Sequence, residues 1–211
     1  MKLTKLGHAC VLVETDDRVG LFDPGGWSDK DLIDGINKLD RIAYTHAHPD
    51  HFDEDILRTL IEKFPDAHVV CNEEIRSNIE EAGITASIRE GTQCTVPFNT
   101  THDPRLPMLN ADAPMQTGFH FKDVFTHPGD SNDFDETKMV LAMPFVAPWG
   151  IPREALETVL RLKPKYVLPI HDWLYTDEAK EYLQGALKSQ LEEAGIELLS
   201  YKNGETITIE E

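Results

Sequence analysis

A chain of 211 residues with 40% hydrophobic content can bury one sizeable core, and it fits a single domain over 1–211 better than two small ones. Its 20 basic against 38 acidic residues give a formal net charge of −18, which, without any run of basic residues, argues against nonspecific binding to a nucleic-acid backbone. Three widely spaced cysteines, Cys10, Cys71 and Cys94, argue against a disulfide framework and a thiolate zinc site, so a reducing cytoplasm is the expected location.

In chain order, Gly7, His8 and Glu14 interrupt the first apolar stretch too early for a signal-peptide core. No apolar run approaches the ~20 residues of a membrane span. The segments ACVLVE and RVGLFD, separated by TDD, predict a hairpin. After the Gly/Pro turn DPGGW, the spacing of Leu32, Ile33 and Ile36 predicts a helix over 28–38, with Ser28 as N-cap. RIAYT is expected to be a strand, and DEDILRTLIEKF an amphipathic helix with acids in its first turn. AHVVC then predicts a strand, 72–82 a helix capped by Asn72 and closed by Gly83, and TASIR another strand. Between TQCTVPF and GFHFK the chain crosses 19 residues, NTTHDPRLPMLNADAPMQT, with no periodicity and more length than a plain connection needs. VLAMPF, the helix PREALETVLRLK with Pro152 at its start, and KYVLPI form a strand, helix, strand unit. A long helix is expected over 177–194, and IELLSYKNGETITI predicts a closing hairpin around Asn203-Gly204.

The chemistry concentrates in HAHPDH, where His46, His48, Asp50 and His51 lie between a predicted strand and a predicted helix. Neutral imidazole is a borderline-soft ligand for zinc and similar ions, and a carboxylate adds charge and hard oxygen character. On a loop, residues 46 and 48 can point one way while 50 and 51 diverge, so one segment could serve two neighbouring ions. The competing account is a polar loop in which Asp50 or Asp53 caps the helix and the histidines are solvated. Three more candidates come after strand-like segments: His102 after TVPFNTT, Asp130 after DVFTHPG and His171 after KYVLPI. Singly each is an ordinary loop residue, but a strand-end position repeated for every candidate is what one active edge of an α/β fold requires.

Other residues have two readings each. His8 either lines the site or is a hydrogen-bonded structural histidine, and His127 precedes the Gly-Asp turn, close behind the candidate Asp130. His68 and His120 alternate with apolar neighbours and are expected to face solvent or packed partners. Trp149 and Trp173 either wall a pocket or pack beside the core. Arg105, in the long loop, meets either solvent or an anionic group.

FDPG at 22–25, THAHPDH at 45–51, His102, HPGDS at 127–131 and PIH at 169–171 resemble, in that order, the motifs of metallo-β-lactamase-fold hydrolases. LGHACVLVET, FDPGG, GDS and VLPIHDW are similar to the compact branch related to L-ascorbate 6-phosphate lactonase, although HDW departs from that branch's closing sequence. The resemblance implies an α/β four-layer αβ/βα sandwich. It also implies that His46, His48 and His102 hold one divalent metal and Asp50, His51 and His171 a second, with Asp130 bridging and Asp23 behind them. Zinc is the first expectation, and manganese or iron accept the same ligands. Asp50 and Asp130 are the catalytic candidates, and a hydroxide between the two cations would attack a small ester-like, lactone or phosphoester substrate. The alternatives are a phosphodiesterase of the same fold, an iron-dependent oxygen-handling redox protein, which commonly has an acidic residue where His48 stands, and a metal-binding regulatory module. The expected partner is a small-molecule substrate, with no nucleic acid and no membrane; a homo-oligomer is left open.

Overall fold

Two mixed β-sheets lie face to face in the computed structural model, which describes residues 1–102, 113–147, 150–199 and 202–210. The first half of the chain builds one sheet with its helices: β1 (Lys2–Lys5), β2 (Val11–Glu14), β3 (Val19–Phe22), α1 (Lys30–Asp34), β4 (Arg41–Tyr44), α2 (Glu54–Lys63), β5 (His68–Cys71), α3 (Glu73–Glu81) and β6 (Ser87–Arg89). The second half builds the other: β7 (Thr95–Asn99), β8 (Thr117–Phe121), β9 (Phe125–His127), β10 (Val140–Pro144), α4 (Pro152–Leu162), β11 (Tyr166–Ile170), α5 (Asp177–Glu193) and β12 (Glu197–Leu198). A last strand, β13 (Thr206–Thr208), returns to the first sheet beside β1. Strand order is β13-β1-β2-β3-β4-β5-β6 in one sheet and β12-β11-β10-β9-β8-β7 in the other.

The four layers arise from two-residue alternation along strands buried on both faces. In β4, Ile42 and Tyr44 turn outward onto Ile33, Leu57, Leu60 and Ile75 of the helices, while Ala43 turns inward. In β10, Ala142 points inward, and Leu141 and Met143 meet Val159, Leu187 and Leu191 on α4 and α5. Between the sheets, Leu3, Val11, Val13, Phe22 and Val70 pack against Phe119, Phe121, Phe125, Leu168 and Ile170. Each such fully buried side chain contributes about 1.5–3 kcal/mol relative to exposure. The sequence-based expectation of a four-layer αβ/βα sandwich holds.

Helix ends obey local chemistry. Asp53 caps α2 by accepting from Ile56 N, Asn72 caps α3 through Ile75 N, and Thr176 caps α5 through Ala179 N. Two expectations need correction, and one strand goes unread in the sequence. The first helix is shorter than 28–38: the Asp29 side chain, not Ser28, accepts from Asp31 N and Leu32 N, and Gly35 ends the helix after one turn and a half. The KLTK segment is a strand, although it has too few apolar residues to be read as one. The closing segment is not a hairpin. β12 pairs parallel with β11 and β13 pairs antiparallel with β1, so the Asn203-Gly204 turn carries the chain from one sheet to the other. α5 delivers β12 parallel to β11, and the free edge of β1 takes β13; both pairings outcompete the local turn.

Candidate metal centre

Strand direction brings the site together. Because β1 and β3 are both antiparallel to β2, and β3 to β6 run parallel, β1, β3 and β4 all end on one edge of the first sheet. The same logic puts the ends of β7, β9 and β11 on one edge of the second. His8, Asp23 and the 45–51 loop come after β1, β3 and β4; His102, Asp130 and His171 come after β7, β9 and β11. The two edges meet, and all seven candidate ligands fall in two groups whose ligand atoms lie within 4.8 Å of one another: His46, His48, His102 and Asp130, and His8, Asp50, His51 and His171. Asp130 touches both groups. Its Oδ1 is 3.1 Å from His51 Nε2, and its Oδ2 is 3.1 Å from His171 Nε2 and 3.7 Å from His102 Nε2.

The backbone around the groups is built for close approach. A Cβ on Gly25 would lie 2.1 Å from Asp50 O, so only glycine lets the DPGG turn cradle the histidine loop, which Gly26 N also holds through Pro49 O at 2.7 Å. Gly129 adopts φ +66, and a Cβ there would press on Thr45 and Gln116. Asp130 N in turn donates to Gln116 Oε1 at 2.9 Å. Three site residues, His8 (φ 31), Asp23 (φ 46) and His171 (φ 64), have left-handed backbones that cost side-chain-bearing residues energy. Such strain persists where the surrounding structure dictates position.

The histidine tautomers are set from behind. Thr45 Oγ1 gives its only proton to Asp23 Oδ2 at 2.7 Å, so it accepts from His46 Nδ1 at 3.0 Å. The same Asp23 oxygen accepts from His51 Nδ1 at 2.7 Å. Val146 O, which can only accept, lies 2.6 Å from His171 Nδ1. In the neutral rings of His46, His51 and His171 the proton therefore sits on Nδ1, and the Nε2 lone pair faces the cluster. Hydrogen bonds of this kind orient metal-binding histidines. His46 Nε2 lies 3.1 Å from His48 Nδ1, close to the roughly 3.3 Å that separates two nitrogens on one tetrahedral zinc with bonds of about 2.0 Å. The donor set of buried imidazole nitrogens and carboxylate oxygens fits zinc or a similar divalent ion.

Charge is arranged to match. Burial pulls His51 and His171 down, but the neighbouring carboxylates together outweigh it: Asp130 with Asp23 raises His51 well above the usual histidine range, and Asp130 with Asp50 raises His171 to about 9. Burial works against ionised Asp130 and Asp50 too, yet the neighbouring histidines hold both well below the carboxylate range. Burial, with His51 and His102 beside the pair, lowers His46 and His48. The cluster thus favours positive charge at its carboxylates.

Several other expectations resolve into contacts. His8 is buried beside Asp50, its Nε2 3.0 Å from Asp50 Oδ2. His127 Nε2 donates to Ala9 O at 3.0 Å while its Nδ1 accepts from Gly129 N, tying the turn before Asp130 to the β1–β2 turn. His68 bonds Ser87 and His120 bonds Thr126, both as packed partners remote from the cluster. Trp173, exposed, stacks on Trp27 with centroids 4.7 Å apart, and Trp27 meets His8 edge-on, so an apolar wall flanks the second group. Trp149 and Arg105 lie outside the described residues. Composition and motif spacing carry no signal for Gln116, or for Asn72 as the donor to Thr45 O and Met115 O.

Comparison with known proteins agrees with this geometry. The sequence pattern of the metallo-beta-lactamase superfamily matches residues 3–135. Protein Rv0786c of Mycobacterium tuberculosis is 30% identical over 195 residues, covering 89% of this chain and 91% of that protein. The UPF0173 metal-dependent hydrolase NEQ378 of Nanoarchaeum equitans is 28% identical, covering 99% of this chain and 100% of its own length. Among solved structures, the metallo hydrolase Igni18 of Ignicoccus hospitalis superposes with a TM-score of 0.74 at 21% identity, covering 99% of this chain and 98% of that one. The chain belongs to the metallo-beta-lactamase superfamily and is a metal-dependent hydrolase.

Proposed function

We propose that the chain, acting as one hydrolase domain over 1–211, holds two divalent metal ions and hydrolyses a small ester-like, lactone or phosphoester substrate. In this account His46, His48 and His102 hold one ion, Asp50, His51 and His171 the other, and Asp130 bridges them. The observation that carries it is the shared position of Asp130, within 3.1 Å of both His51 and His171 and 3.7 Å of His102. Ions held by these residues would supply a water of lowered pKa as the nucleophile and polarisation of the bond under attack. The protein's own part is to fix ring tautomers through Asp23, Thr45 and Val146, and to set Asp130 through Gln116. Likeness in the opening and closing motifs to the L-ascorbate 6-phosphate lactonase branch supports a small substrate, and the Trp27–Trp173 wall supports one with an apolar part. The segment after His102, most of which lies outside the described residues, is assigned to substrate choice, because it adjoins a proposed ligand. Zinc is the favoured ion, with manganese or iron as substitutes. Three free cysteines support a reducing, cytoplasmic setting, and no helix among the described residues is long and apolar enough to cross a membrane.

Elemental analysis after mild dialysis is expected to find about two divalent ions per chain, and turnover on a panel of lactones, phosphodiesters and thioesters should disappear with the metal. A metal content near zero, with no uptake of added zinc or manganese, would sink the dinuclear account.

A further inference from the structure

His8 lies in the second group of candidate ligands, and its ring nitrogens are not equivalent. Trp173 N donates to His8 Nδ1 at 3.3 Å, so Nδ1 is an acceptor and the proton of the neutral ring sits on Nε2. That Nε2 faces Asp50 Oδ2 at 3.0 Å. A nitrogen that carries a proton has no lone pair for a cation, which separates His8 from His46, His51 and His171, whose Nε2 atoms carry none when the rings are neutral. Asp50 Oδ2 is also the oxygen that faces His171 Nε2 at 3.5 Å and His51 Nε2 at 3.7 Å.

The main chain of His8 completes the connection, since its carbonyl accepts from His171 N at 3.0 Å. His8 therefore bonds Asp50, which comes after β4 in one sheet, and the His171–Trp173 segment, which comes after β11 in the other. Its side chain is fully buried, Trp27 packs against it edge-on with centroids 4.8 Å apart, and its backbone is held at φ 31. We propose that His8 is a positioning residue rather than a metal ligand: its Nε2–H holds Asp50 Oδ2 aimed at His51 and His171, and so completes the second metal site. This rests on the two-metal account above.

The test uses zinc. Stoichiometry and stepwise affinity are measured by competition with a chromophoric chelator for the wild type, His8→Leu and His8→Gln; a glutamine amide can place an N–H near the position of Nε2, and leucine cannot. The wild type should bind two zinc ions. His8→Leu should keep the affinity of one site and weaken the other about 10- to 100-fold, the usual effect of removing a partner of a ligand. His8→Gln should recover most of the loss. A purely structural role would instead lower the thermal midpoint of the metal-free protein without selecting one site or being rescued by glutamine. In the zinc-loaded wild type, ¹⁵N spectra of the His8 ring should show Nε2 protonated, and this measurement decides the question alone if the leucine variant does not fold. Unchanged affinities in His8→Leu, no rescue by glutamine, or a deprotonated, zinc-bound Nε2 would overturn the proposal. Fewer than two zinc ions on the wild type would instead overturn the two-metal account beneath it.

Discussion

Asp130 shows how one residue can matter to both folding and function. As an ordinary turn aspartate after Gly129, it would offer the backbone a hydrogen bond and little more. In the structure it is buried, its backbone N–H is held by Gln116, and its two oxygens face His51 and His171 at 3.1 Å each. Asp130→Asn keeps the size and removes the charge. Metal occupancy should drop from about two toward one, and turnover should fall about a hundredfold, roughly 2.7 kcal/mol in barrier. The metal-free variant should also lose stability, by about 3 kcal/mol, because breaking a buried ion pair leaves its partners uncompensated. Metal analysis, kinetics and urea unfolding of the metal-free protein check the three effects. If turnover and occupancy survive, Asp130 is not the bridge; if only metal-free stability survives, it bridges without pairing.

At the scale of elements, β1 is tied to the segment after β11 by a buried ion pair, Lys5 Nζ to Asp172 Oδ2 at 2.5 Å. Burial lowers the Lys5 pKa, with Asp172 opposing it. Since Asp172 is the residue after His171, the pair anchors a candidate ligand's loop. Lys5→Met should cost about 3 kcal/mol by leaving Asp172 without its cation, and adding Asp172→Asn should restore much of it; urea unfolding of the single and double variants measures both. A single variant as stable as the wild type would show that the pair contributes nothing net. Neither partner can be picked from the sequence, because a lysine in KLTK and an aspartate in HDW look solvated, and β1 itself lacks the apolar alternation that marks a strand. The helices α2, α3 and α4 are legible because their apolar stripes and end signals are local. Asn-Gly chemistry is local too and points to a closing hairpin, whereas the pairings that win, β12 with β11 and β13 with β1, join distant parts of the chain. The clustered site residues are legible since each comes after a strand; His8 keeps two readings in the sequence because β1 before it is not recognisable. Gln116 and Thr45 act through contacts that only the assembled edges create.

Over the whole molecule, the metal centre couples folding to pH. In the metal-free protein His171 titrates at about 9, raised against burial by Asp130 and Asp50, while His8 is pushed down to about 4 by burial with His171 and His51 beside it. A histidine with a raised pKa stabilises the fold fully below its unfolded value of about 6.5, and that contribution is lost as pH rises through the folded value. A histidine with a lowered pKa does the reverse: its contribution is present above about 6.5 and fades as pH falls toward 4. The metal-free protein should therefore be most stable near pH 6.5. For His171 alone, the loss between pH 6.5 and 8.5 is about 2 kcal/mol by linkage, and His51, raised by Asp130 and Asp23, adds to it in the same direction. Metal changes the alkaline arm specifically, because ligands must shed their protons to bind and a bound cation replaces them. Urea unfolding at pH 6.5 and 8.5, with and without two equivalents of zinc, measures the difference. The metal-free protein should lose about 2 kcal/mol or more between the two pH values, and the zinc-loaded protein should not lose stability, since zinc binds more tightly as His171 gives up its proton. Equal metal-free stabilities at the two pH values would mean that Asp130 and Asp50 do not hold a proton on His171, and the charge assigned to this side of the cluster would have to be withdrawn.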